Sequence, residues 1–167
     1  MIRPLALFGQ AVTYAAFAAI LGVFANGPAY APAPPEKAQI VLSLIHGGKP
    51  AGDCRERGAE EIAKLAPNMR RKLDCPRGRV PLLVELTVDG KTLFRDSLPP
   101  KGFAQDFPSH IHRRFPVEPG TRRIEVRLRD SDRRDGFDYE SAAEMALEPR
   151  QSAAIGFRAA AGGFVFR

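Results

Sequence analysis

Cys54 and Cys75 are the only two cysteines in the chain. At about twenty residues apart, in an exported protein they most simply close one disulfide. Redox exchange or copper binding would favour Cys-x-x-Cys or close Met and His partners, and that motif is absent. His110 and His112 stand two apart in a strand-like run, so their imidazoles share a face. There they could ligate copper or zinc, with His46 or Asp106 approaching. The alternative is a pair of ordinary solvent-facing histidines beside Arg113 and Arg114. Asp130, Asp132, Asp135 and Asp138 crowd one loop-like stretch without the ligand spacing and closing Glu of an EF-hand. A solvated loop whose arginines pair with these carboxylates is therefore expected in place of a calcium site. No Gly-x-Ser-x-Gly, P-loop or His-Glu-x-x-His is present, so no nucleophile with its base is nominated and no enzyme is expected.

Arginine is the larger chemical feature. Lysine and arginine number 25 against 19 acidic residues, for a formal net charge of +6. Basic groups gather around the cysteines and again between residues 113 and 134, with Arg70, Arg71, Arg113, Arg114, Arg127 and Arg129 as the expected partner-binding set. Such groups suit anionic headgroups or an acidic protein, although interleaved Glu118, Glu125 and Asp130 leave plain solvated charge as the other reading. Nucleic acid is not an expected partner outside the cytoplasm.

These side chains must be positioned by elements that the hydrophobic pattern announces. Leu5 to Ala25 is uncharged for 21 residues, and a helix of that length spans about 30 Å of hydrocarbon. The length favours a retained signal anchor, while Val23-Phe24-Ala25 leaves a cleaved signal peptide as the alternative. Arg3 precedes the segment, and Glu36 and Lys37 cancel after it, which keeps the N-terminus in the cytoplasm. Ala- and Arg-rich usage points to a bacterium, hence to an inner-membrane protein with its C-terminal part in the periplasm. The expected plan is a cytoplasmic residue 1–4 stub, an anchor over 5–25, a Pro-rich stalk over 26–37 and a periplasmic domain over 38–167.

Within that domain, Gly and Pro contribute 15 residues each, a turn-rich balance that favours short strands. Strands are predicted over 38–46, 82–88, 91–95, 111–117, 123–129, 141–147, 153–157 and 164–166, from alternating apolar residues and flanking turn residues. Asp89-Gly90 marks a hairpin, and 59–65 reads as one short helix closed by Pro67. Seven or eight such strands imply a mainly β fold, an antiparallel β-sandwich of immunoglobulin-like or prealbumin-like character preceded by a transmembrane helix.

From Val84 to Leu128, a strand, a Val-Asp-Gly hairpin, a Leu-Pro-Pro-Lys-Gly loop and a Pro119-Gly120 turn before alternating apolar residues follow one another. This resembles the PEGA-type and carboxypeptidase-regulatory-like β-sandwich modules of bacterial surface proteins. The resemblance implies a non-catalytic scaffold or binding role and carries no site residues; the insertion bearing Cys54 and Cys75 departs from the pattern. The expected function is thus a membrane-anchored periplasmic binding module without a cofactor. It would be an accessory or assembly subunit docking on a membrane protein complex, respiratory among the options, or on an acidic periplasmic protein. Gly9, Gln10, Thr13, Tyr14 and the alanines of the anchor would suit packing on another transmembrane helix. The alternative is a copper- or zinc-handling protein using His110, His112 and His46.

Overall fold

The computed structural model describes residues 4–27 and 34–167, which fall into two compact units, Met1–Pro34 and Pro35–Arg167. Arg3 and half of the predicted stalk, residues 28–33, lie outside the described residues.

The first unit contributes α1, Pro4–Asn26. Its apolar side chains, among them Leu5, Phe8, Phe17 and Phe24, are exposed, and Pro4–Ala25 is long and apolar enough to cross a membrane. The polar side chains inside it are satisfied locally. Thr13 Oγ1 donates to the Gly9 carbonyl at 2.9 Å and Gln10 Nε2 to the Tyr14 hydroxyl at 3.0 Å.

The second unit is mainly β. Its elements are β1 (Ala38–His46), β2 (Arg55–Glu56), α2 (Ala59–Lys64), β3 (Leu73–Asp74), β4 (Leu82–Val88), β5 (Lys91–Leu98), β6 (Ser109–Val117), β7 (Gly120–Arg129), β8 (Tyr139–Leu147), β9 (Ser152–Arg158) and β10 (Gly163–Phe166). Eight of them form two four-stranded sheets, ordered β10-β9-β1-β6 and β5-β4-β7-β8. Ladders are antiparallel except between β1 and β9, which run parallel. That pair departs from the wholly antiparallel expectation: β9 returns from β8 of the second sheet and enters beside β1 running in the same direction.

Strand alternation explains why the two sheets share one core. Ile40, Leu42 and Leu44 of β1, Ile111 of β6 and Ile155 of β9 lie in the same buried cluster as Leu82, Val84 and Leu86 of β4 and Ile124, Val126 and Leu128 of β7. Because successive side chains point to opposite faces, each of these runs leaves a second set directed outward. The hairpin between β4 and β5 turns on Asp89 and Gly90, with φ of 50° and 78°, the positive values that a two-residue type I′ loop demands.

Between β1 and β4 the chain makes an excursion, residues 47–81, whose two ends meet where Gly48 approaches Val80. A Cβ there would lie 2.1 Å from the Val80 carbonyl oxygen, so only glycine permits that approach. The excursion holds α2, which has no buried residue, and the two-residue β2–β3 ladder. Cys54 and Cys75 are bonded across it with a Cα separation of 4.2 Å, the pairing the spacing predicts.

Candidate interaction surfaces

The outer face of β5-β4-β7-β8 is a lattice of matched charge. Glu85 on β4 sits opposite Arg95 of β5 and Arg127 of β7, which in turn sits opposite Glu140 of β8. Glu85 is only 2% exposed, yet it is ionically satisfied by Arg95 at 3.1 Å and by a hydrogen bond from Arg127. Arg127 also lies over the Phe137 ring at 4.8 Å, and Arg123 pairs with Glu125 at 2.7 Å. Opposite charges on neighbouring strands attract where Glu85 faces Arg95 and Arg127 and where Arg127 faces Glu140.

The outer face of β10-β9-β1-β6 has a different chemistry. None of these four strands contains an aspartate or glutamate. Gln39, Val41, Ser43 and Ile45 of β1 pair in register with Pro116, Arg114, His112 and His110 of β6. On the other side Val41 and Ser43 pair with Ala154 and Gly156 of β9, and Gly156 with Val165 of β10. The small residues leave a groove of about 380 Å³ lined by Ser43, Ile45, Ala154, Gly156, Val165 and their neighbours, with Arg158 and Arg167 beside it.

The expected partner-binding arginines are spread over several parts of the β unit. Arg127 and Arg129 belong to the charge-matched side of the molecule, and Arg129 Nη1 donates to the Arg134 carbonyl at 2.6 Å. Arg113 lies at the open side where β6 meets β5, with its guanidinium 5.2 Å from the centroid of Phe94. Arg70 donates from Nε to the Leu65 carbonyl at 3.1 Å. Arg71 faces a hollow of about 310 Å³ in the excursion, with Arg77, Arg79 and Asp106. Arg114 alone of the six stands on the acid-free face. Alternation along β6 separates Arg113 from Arg114, and non-local pairing distributes the rest.

The histidines are likewise divided. His110 and His112 are exposed on the acid-free face, as their spacing predicts. His46 points the other way, against Phe157 at 4.7 Å and Tyr139 at 6.2 Å, with Nε2 2.8 Å from Asp130 Oδ2. The metal set of His110, His112 and His46 is therefore not assembled, because residues of opposite parity on paired strands face opposite sides. Among the described residues no group of three or more His, Cys, Asp or Glu converges.

The aspartate-rich loop is held by its own carboxylate. Asp138 Oδ2 accepts from the backbone N–H of Asp130 and Ser131 at 3.0 and 3.1 Å and from the Ser131 hydroxyl at 2.7 Å. Burial pushes the Asp138 carboxyl up, but the Ser131 hydroxyl, the two N–H groups and the charge of Lys49 more than offset it, and the group is held below its ordinary value. Arg133 reaches the Phe137 carbonyl at 3.0 Å and comes within 3.5 Å of Asp138, as the loop reading expects. Two features escaped the sequence: the His46–Asp130 pair, 84 residues apart, and the acid-free groove. Gly156, inside an otherwise strand-like run, was the local signal for the groove. No family model, curated protein or solved structure matches the chain.

Proposed function

We propose that the chain is a single-pass, membrane-tethered binding module of the bacterial periplasm. In this reading the β unit is a sandwich of immunoglobulin or prealbumin kind, akin to the PEGA-type modules, and acts without catalysis as an accessory or assembly subunit of a membrane complex. A respiratory complex is one such host. The observation that carries the reading is the joining, in one chain, of an apolar helix of membrane-crossing length to a disulfide-closed β unit. A tether raises the effective concentration of the module near membrane-bound partners, and a disulfide suits an oxidising compartment. Cationic groups would steer an acidic partner toward the module before contact.

The alternative reading, copper or zinc handling, would rest on His110 and His112, with His46 engaged by Asp130. The test is mild detergent extraction of native membranes, followed by affinity recovery of the full chain under native conditions. A co-purifying membrane complex is the expected result. Recovery of the chain solely as a lone monomer would overturn the proposal.

A further inference from the structure

We propose that the outer face of β10-β9-β1-β6 is a docking groove for an extended, acidic segment of a partner protein. The segment would be seated over Ser43, Ala154 and Gly156 between Ile45 and Val165. This rests on the binding-module reading and names its site and its partner's chemistry.

Gly156 is the first argument. A Cβ at this position would meet the Ser43 carbonyl oxygen at 3.8 Å, ordinary van der Waals contact, and its φ is not in the left-handed region. The fold therefore does not require glycine here, although glycine inside a strand costs about 0.5 to 1 kcal/mol relative to alanine. What the missing side chain provides is room above the sheet, where another backbone can approach closely. Ile45 stands at the side of that room, 74% exposed although it lies in an inner strand of its sheet. It is available to cover an incoming chain.

Unmatched donors identify the occupant. His110, His112, Arg114 and Arg158 have no ion-pair partner among the described residues, and no strand of the sheet supplies a carboxylate. On the opposite side of the molecule Arg95 and Arg127 pair with Glu85 and Arg123 with Glu125, so basic composition alone does not produce the asymmetry. His110, His112 and Arg114 recur at every second residue along β6, about 7 Å apart. Carboxylates at alternate positions of an extended segment repeat at the same spacing, whereas a helix repeats every 5.4 Å or so. A recess also favours a protruding chain over a flat bilayer surface, into which apolar side chains would have to project.

The test places a photo-crosslinking p-benzoylphenylalanine in the full-length chain in native membranes. It replaces Arg158, at the edge of the groove, or Glu144, on the charge-matched face, and adducts are mapped by mass spectrometry. The expected result is an adduct from position 158 to a partner peptide with carboxylates at alternate residues. Gly156→Val should lower that adduct about tenfold, as for loss of one well-packed contact, with a melting midpoint unchanged or raised. Arg114→Glu should lower it as well without filling the groove.

An adduct that persists in Gly156→Val, or that joins position 158 to lipid or to a basic peptide, overturns the proposal. An adduct from position 144 alone overturns this groove while leaving the binding-module reading in place. The absence of adducts from both positions overturns both.

Discussion

His46 and Asp130 show how much one buried pair decides. Asp130 is 4% exposed and its Oδ1 has no hydrogen-bond partner, with the Lys49 ammonium 3.9 Å away. Its other oxygen depends on His46. Truncating His46 leaves a buried carboxylate short of a donor, which costs about 1 to 3 kcal/mol. His46→Ala should therefore lower the chemical-denaturation midpoint of the β unit without altering metal uptake, measured on the same preparations. Asp138 gives a pH dependence. Its folded value lies below its ordinary one, so its contribution is complete at neutral pH and is lost as pH falls through that folded value. Melting midpoints recorded from about pH 7 down to about pH 2 should fall, and Asp138→Asn should flatten the acid limb of that curve. Asp89, held low by the Arg123 backbone N–H and then by Arg122, acts in the same direction at the hairpin.

At the scale of elements, the cysteine excursion is distinct from the sheets it interrupts. Its helix buries nothing, its ladder has two residue pairs, and its ion pairs, Arg55 with Glu61 and Arg57 with Asp74, are partly exposed. Exposed pairs of this kind contribute little, and the backbone bonds to the rest of the unit lie at residues 49–51 and 78–80, so the bond between Cys54 and Cys75 is the main restraint on the part between them. Closing a loop of this length is worth roughly 3 kcal/mol in the chain-entropy model. Cys54→Ser should therefore accelerate proteolysis within residues 52–77 severalfold while leaving the cooperative melting of the two sheets nearly unchanged. A large drop in that melting midpoint would show that the excursion and the sheets fold as one.

At the scale of the whole molecule, α1 and the β unit answer different solvents. An apolar helix of 22 residues with no internal cover should hold the full chain in the membrane pellet through alkaline carbonate washing. Residues 35–167 alone should appear in the supernatant with an unaltered melting midpoint. Equal extraction of both would show that α1 does not anchor the chain.

The elements are largely legible in the amino-acid sequence. Residues 38–46 form the predicted strand with both boundaries matched, and Asp89-Gly90 forms the predicted turn, because strand alternation and turn conformation are local properties. The apolar helix was legible for the same reason: an uncharged run needs no partner to reveal itself.

The sequence by itself therefore determined the apolar helix, the strands, their inward and outward residues and the cysteine pair. Only the tertiary structure decided which strands are neighbours. Alternation tells which way a side chain points, but pairing is set by contacts between distant segments that share a core. That pairing gathered β1, β6, β9 and β10, separated in the chain and without a carboxylate among them, into one sheet. It also dispersed the arginines and turned His46 toward Asp130.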